Sequence, residues 1–303
     1  MGKTPNINLI GLRRFAYFLS AAIIVGGMAS IALHGGLELG IDFAGGNMMQ
    51  VDILDDRADI GQVREVLLQT GYGDNVQRLE DPDKNLFILK AAVQEEGNDQ
   101  VISAITSALH ERFGEEGVVV ERVDIVGPRI SRYLLRTSYV VGAVALVLIL
   151  LYISFRFRLR FGVAAIAALV HDVLVVVAFL SFFGKEMDTF ILAALLTIIG
   201  YSLNDTIVVF DRARENLKSA RAYQDYSGTV NTSINQSLSR TLITSLTTLL
   251  AVFSLYIFGG STMKDFAFAL IVGILVGTYS STFVASALVV EWHGWRPEKI
   301  KKA

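Results

Sequence analysis

Apolar residues fall into six long runs along this chain, and a single long interval after the first run has a different period. The runs are about Phe15–Leu33, Ser138–Phe155, Phe161–Phe183, Phe190–Phe210, Leu242–Phe258 and Phe266–Val290. About 18 consecutive apolar residues suffice to cross a ~30 Å hydrocarbon core, so the pattern predicts six transmembrane helices. Within the interval, Met48–Leu54 reads as a strand and Ile60–Gln69 as an amphipathic helix opened by Asp59. Val76–Leu79 and Leu86–Ala92 read as strands around the turn Asp81-Pro82-Asp83. Val101, Ile105 and Leu109 have helical spacing, which predicts a helix over Val101–Phe113 capped by Asn98 or Asp99 and ended by Gly114. Val118–Val126 is a last strand, stopped by Gly127-Pro128. The order β-α-β-β-α-β is the ferredoxin-like arrangement. The fold class is therefore an α-helical membrane protein of six spans carrying an exterior α+β ferredoxin-like domain. The implied division is an N-terminus and first span over 1–34, the exterior domain over 35–133, a five-span bundle over 134–292 and a basic tail over 293–303.

The first span follows Arg13 and Arg14, as a signal peptide would follow its charges. Its apolar run is longer than such a peptide's, and no small-residue cleavage site follows, so it reads as a retained anchor. Charge then sets orientation. Arg156, Arg158 and Arg160 lie between spans 2 and 3; Arg212, Arg214, Lys218, Arg221 and Arg240 between spans 4 and 5; Arg296, Lys299, Lys301 and Lys302 after span 6. The alternate connections hold only Lys185 and Lys264. By the positive-inside rule both termini are cytoplasmic and residues 35–133 lie outside, in the periplasm of a Gram-negative cell.

Composition agrees: 52% of the 303 residues are hydrophobic and 18% charged, with mean hydropathy +0.49. The net charge of −2 hides an acidic excess of about two to one between Gly35 and Tyr133. An acidic exterior gives no support to nucleic-acid binding, which wants a basic face. Cysteine is absent, which removes thiol chemistry and Cys-based zinc sites. No metal cluster or nucleophile set is legible, and Gly45-Gly46 is too little for a phosphate loop.

Two carboxylates lie inside predicted spans: Asp172 in span 3, after His171, and Asp205 in span 4, near Tyr201, Ser202 and Asn204. An Asp at mid-membrane costs about 2.5–3.5 kcal/mol and so marks either function or a polar contact between helices. Asp205 lies about two turns from the basic end of its span. Arg240 enters span 5 from the same side, followed by Thr241, Thr244, Ser245 and Thr248, of which Thr241, Ser245 and Thr248 share a face. A carboxylate, a guanidinium and a hydroxyl ladder at similar depth suggest a hydrated polar path. The plainer readings are an interfacial anchor for Arg240 and helix–helix hydrogen bonds for the ladder. In span 6, Gly273, Gly277, Ser281 and Ala285 form a ridge of small residues suited to close packing or to sliding.

Several strings resemble one family. Leu39-Gly40-Ile41-Asp42-Phe43-Ala44-Gly45-Gly46 is similar to the first signature of SecD/SecF proteins, and Gly127-Pro128 to the second. The string from Gly200 through Asp205 to Arg212, and on to Asn216, resembles the span-4 signature of the SecF branch. Ser239-Arg240-Thr241-Leu242-Ile243-Thr244-Ser245 and Phe258-Gly259-Gly260 also resemble that branch. The resemblance implies half of an RND-superfamily membrane fold in the bacterial inner membrane. It implies a partner, SecD, work beside the SecYEG channel on exported preproteins, and no cofactor other than protons as coupling ion. It links Asp205 and Arg240 to proton conduction. Two other classes stay open: a passive scaffold of the channel complex, and an intramembrane aspartyl protease built from Asp172 and Asp205. A small RND exporter is a further reading on fold alone.

Overall fold

The computed structural model describes residues 6–55, 57–73, 75–79, 84–91, 97–157, 159–219 and 223–295. Two compact units divide the chain. One comprises Leu39–Val140 and Met187–Thr189; the other comprises Met1–Glu38, Val141–Glu186 and Phe190–Ala303.

Helix α1 spans Arg13–Leu33 and belongs to the larger unit. The smaller unit follows, with a single helical turn α2 (Ile41–Ala44), then β1 (Gly46–Ile53), α3 (Ile60–Thr70), β2 (Asn75–Arg78), β3 (Leu86–Ala91), α4 (Asn98–Phe113) and β4 (Val118–Val126). All pairings are antiparallel, in the spatial order β2-β3-β1-β4. Successive strand side chains point to opposite faces. Thus Met49, Val51 and Ile53 of β1 and Phe87 and Leu89 of β3 enter one core, against Val63, Val66 and Leu67 of α3 and Val101, Ile105 and Leu109 of α4. Met49 pairs with Leu89 and Val51 with Phe87, so the apolar residues of the two strands are in register. Asp59 caps α3 as expected. It accepts from Gln62 N at 2.8 Å while its own N–H donates to Gln62 Oε1 at 3.3 Å. Helix α4 differs from expectation. It starts at Asn98 with Gly97 as the cap residue and makes no side-chain cap bond. Asp99 instead lies in the first turn, where a carboxylate complements the helix dipole. The turn Asp81-Pro82-Asp83 and Ala92 lie outside the described residues.

The remaining helices are α5 (Pro128–Arg156), α6 (Leu159–Phe182), α7 (Thr189–Asn216), α8 (Tyr226–Phe258), α9 (Gly260–Ser280), a π-helical turn at Ser281–Ala285 and α10 (Ser286–Trp295). Six stretches are long and apolar enough to cross a membrane, the last running continuously over Met263–Trp295. Two helices begin well before their apolar runs. Helix α5 starts at Pro128 rather than Ser138, since Pro suits a first helical position and the intervening arginines are helix-compatible. Helix α8 starts at Tyr226 rather than Leu242, with Asp225 capping through Gly228 N at 3.0 Å. Hydropathy marks the apolar run; the helices extend past it.

Within the larger unit, α6, α7 and the last span are buried over half or more of their apolar length, whereas α1, α5 and α8 turn most of theirs outward. Glycine sets the closest approaches. A Cβ on Gly27 would meet Ala178 of α6, one on Gly273 would meet Ile198 of α7, and one on Gly277 would fall 2.9 Å from Ser202 Cβ. The small-residue ridge of the last span is therefore a close-packed contact with α7. One end of this unit is tied by polar bonds. Arg13 pairs with Glu291 at 2.6 Å, Arg156 with Asp211, and Arg212 with Gln236 at 2.6 Å. At the same end the N-terminal segment lies along α8, with Asn231 and Asn235 bonding the backbone of Ile7, Leu9 and Ile10. Arg158, Arg221 and the basic residues from Arg296 onward lie outside the described residues.

Candidate functional site

Two polar clusters lie in the larger unit, each around one carboxylate. Asp172 sits near the middle of α6 and is fully buried. Its Oδ2 accepts from Ser202 of α7 at 2.5 Å and from Ser280 of α9 at 2.8 Å. Its Oδ1 lies 2.9 Å from His171 Nδ1. His171 Nε2 meets Ser20 Oγ of α1 at 2.8 Å, and Ser20 Oγ lies 3.1 Å from the Tyr279 hydroxyl. Tyr279 donates onward to the Ala16 carbonyl at 2.8 Å. Four helices thus converge on one acid. Packing makes this possible, because Gly277 lets α9 approach Ser202 closely and so brings Ser280 to the same oxygen. The π-helical turn begins at the next residue, with Ser286 bonding back to the Ser281 carbonyl at 2.7 Å. Such wide turns are rare and recur at functional positions.

The second cluster surrounds Asp205 of α7, which is 3% exposed. Ser245 of α8 and Thr278 of α9 stand beside its carboxyl group, and Arg240 acts on it electrostatically. Tyr201 donates to Ser245 Oγ at 3.2 Å, Ser245 lies 2.7 Å from Thr278 Oγ1, and Thr278 donates to the Ile274 carbonyl at 2.9 Å. Each hydroxyl proton is committed along that chain. Asp205 Oδ2 is left with no hydrogen-bond partner, as are the buried hydroxyls of Thr206 and Thr241. A buried polar atom without a partner costs about 1–3 kcal/mol, so Asp205 occupies an environment that has not compensated it.

The residues singled out from sequence separate accordingly. Asp205, Tyr201 and Ser245 come together. Ser202, adjacent to Asp205 in sequence, instead bonds Asp172. Asn204 is exposed, because it falls on the opposite side of α7 from its neighbours. Arg240 is also exposed on the outward side of α8 and makes no ion pair among the described residues. The hydroxyl ladder is mainly internal to its helix: Thr244 bonds the carbonyls of Arg240 and Thr241, and Thr248 that of Thr244. Only Ser245 reaches across. Ser20, Thr278, Tyr279 and Ser280 escaped the sequence reading as site residues. The one available sign was the polar run Thr278–Thr282 within an apolar span.

The glycine-rich string outside α1 has a structural part in the smaller unit. Asp42 accepts from the backbone N–H of Thr189 at 3.1 Å and from its hydroxyl, and Gly40 N donates to Met187 O at 2.9 Å. Ser131 Oγ donates to the Phe43 carbonyl at 2.8 Å. Gly46 has φ +143°, and a Cβ there would fall 2.7 Å from the Ala91 carbonyl oxygen, so only glycine fits. Gly45 turns the chain at φ +77°. Among the described residues no group of three or more His, Asp or Glu is placed to hold a metal.

Comparison with known proteins identifies the lineage. The family model for the protein export membrane protein SecD/SecF, C-terminal, matches residues 106–295. The protein translocase subunit SecF of Desulfurispirillum indicum is 41% identical over 299 residues, covering 97% of this chain and 93% of that protein. The SecF of Pseudomonas aeruginosa is 36% identical, covering 95% of this chain and 92% of its own. The crystal structure of SecDF, a translocon-associated membrane protein from Thermus thermophilus, superposes with TM-score 0.85 at 37% identity over 97% of this chain. The chain spans 40% of that longer SecDF polypeptide. A SecDF structure in the super-membrane-facing form superposes with TM-score 0.65. On a family model covering most of its length and relatives matched nearly end to end, this multi-pass membrane chain belongs to the SecD/SecF family of protein-export membrane proteins, on its SecF branch.

Proposed function

We propose that this chain is the SecF-type accessory subunit of a bacterial Sec translocase, pairing with SecD beside the SecYEG channel and using the proton-motive force to help preproteins leave. It acts in the inner membrane without enzymatic chemistry or cofactor, with protons as the coupling ion. In this reading both termini are cytoplasmic and the sheet-bearing unit is a periplasmic ferredoxin-like domain. Its strand order β2-β3-β1-β4 with two helices on one face supports that assignment. The outward apolar faces of α1, α5 and α8 suit lipid and a partner helix bundle.

The observation that carries the coupling mechanism is the buried, unpartnered Oδ2 of Asp205. Ionised, that oxygen would draw the Ser245 or Thr278 hydroxyl away from its present partner. Protonated, the acid is neutral and suited to its surroundings. Loss of the proton inward leaves a charge that the Arg240 guanidinium already favours from a distance and compensates more fully if α8 turns its cation toward α7. Protonation is thereby linked to the position of α8, and through the helices to the periplasmic domain. Each proton crossing 100 mV releases about 2.3 kcal/mol, enough to bias a two-state rearrangement more than tenfold. The test is proton-gradient-dependent export in vesicles. Asp205→Asn is expected to abolish the gradient's stimulation while leaving assembly with SecD intact; unimpaired stimulation would remove Asp205 from the mechanism. A passive scaffold predicts that Asp205→Asn and Arg240→Ala are silent. A protease needs two carboxyl groups sharing a proton. Asp172 instead shares its hydrogen bonds with His171, Ser202 and Ser280, in a cluster separate from that of Asp205.

A further inference from the structure

The Asp172 cluster can be read for its protons by counting donors. The Ala16 carbonyl only accepts, so the single hydroxyl proton of Tyr279 goes to it. Tyr279 then has none left for Ser20, and the 3.1 Å contact between them is filled by the Ser20 proton. With that proton used, the 2.8 Å contact from Ser20 Oγ to His171 requires a proton on Nε2. On the far side, Ser202 donates to Asp172 Oδ2, and so does Ser280, at 2.8 Å against 3.2 Å to its other acceptor, the Gly277 carbonyl, so that oxygen carries no proton. One contact remains, His171 Nδ1 to Asp172 Oδ1 at 2.9 Å, and it needs a proton of its own. Whether the proton rests on nitrogen or on oxygen, the pair is net neutral. Without it, an Nε2-protonated imidazole would set two lone pairs against each other. An uncompensated carboxylate at a fully buried position would be costly as well.

We infer that His171 and Asp172 jointly hold one exchangeable proton, a second proton site of this membrane bundle separate from Asp205. When the proton passes to water the pair becomes singly negative. His171 then keeps a proton on Nδ1, donated to Asp172, and the Ser20 hydroxyl turns from Tyr279 to the bare Nε2. One proton leaves, one hydroxyl rotates, and the Ser20–Tyr279 bond between α1 and α9 opens while the Tyr279–Ala16 bond stays. The titratable groups on the surrounding helices are few. Tyr279 belongs to the chain itself, and Asp205 follows Ser202 by one turn on α7. Tyr17, Arg13 and Glu291 act on one another nearer the α1 terminus. No lysine or arginine bonds the pair among the described residues. The site extends the proton-coupling reading of Asp205 but stands on its own geometry.

The test uses the chain with its SecD partner in lipid vesicles. In an Asp205→Asn background, adding Asp172→Asn is expected to remove one further titrating proton per chain, read from the infrared carboxyl band and from proton release on a pH jump. The asparagine amide can donate to Nδ1 and so mimics the loaded state, which keeps the fold. Equal proton counts in the single and double variants would overturn the inference. Nitrogen-15 NMR of labelled histidine in the unsubstituted protein, assigned with His171→Gln, is the second readout. An Nε2-protonated ring at low pH that becomes the Nδ1–H tautomer as pH rises is expected, and the Nδ1–H tautomer at every pH would refute the inference. Neither readout depends on export, so failure of the Asp205 mechanism would leave it standing.

Discussion

The two buried acids of this bundle are close in sequence logic and opposite in chemistry. Asp172 receives two hydroxyl donors and an imidazole, and the network that serves it reaches four helices. Asp205 is almost as buried but has a bare oxygen, hydroxyl neighbours committed elsewhere, and a cation on the outer side of α8. A satisfied acid holds helices in one arrangement. An unsatisfied one stores a preference for some other arrangement, or for a change of its own charge. Intramembrane carboxylates are costly in either case, and the pattern of partners separates an acid whose charge is held within a bonded network from one left partly bare.

The sharpest way to break this contrast is to delete each acid's partners. Asp172→Ala would leave Ser202 and His171 without their carboxylate partner and Ser280 with only the Gly277 carbonyl, and is expected to destabilise the bundle by about 3 kcal/mol or more, against less than about 1 kcal/mol for Asp172→Asn. Thermal unfolding of the purified proteins in detergent would show the gap, and equal losses would mean the cluster is not a clamp. Gly277→Val would press into Ser202 and part α9 from α7. A cost of roughly 1–3 kcal/mol is expected on the same measurement, with export falling in proportion. Gly46→Ala tests the smaller unit alone. Its positive φ and the Ala91 carbonyl leave no room, so proteolysis of the sheet-bearing unit should accelerate for a loss of about 1–3 kcal/mol while the bundle's melting is unchanged. The smallest effects belong to Thr244→Ala and Thr248→Ala, whose hydroxyls only bond their own helix. Each should change stability by less than about 0.5 kcal/mol and leave export normal, whereas Ser245→Ala should impair it.

Much of this architecture can be read from residue order because the determinants are local. The strands of the smaller unit are short alternating runs, and Asp59 with Gln62 announces a helix start whatever surrounds it. The helix starts at Pro128 and Tyr226 were hidden because arginines and serines continue a helix as readily as they end an apolar run. The site was legible in its acids and in Tyr201 and Ser245, but not in how its residues group. Which face of α7 meets α6 and which meets α8 depends on glycines in the last span, so Ser202 was grouped with Asp205 when packing gives it to Asp172. Asn204 and Arg240 carry the right chemistry at the right depth, yet their helix faces point outward in this arrangement. Ser20 is remote in sequence from His171 and carries no signal of its own, and Tyr279 shows only as part of the polar run Thr278–Thr282.

The central claim is that Asp205 changes its charge as part of the work. Export of a preprotein into inverted vesicles, with and without an imposed proton gradient, tests it when the vesicles carry Asp205→Asn at normal levels of the SecD–SecF pair. The account predicts that export no longer responds to the gradient while its gradient-independent rate is retained. A full response to the gradient in that variant would contradict it.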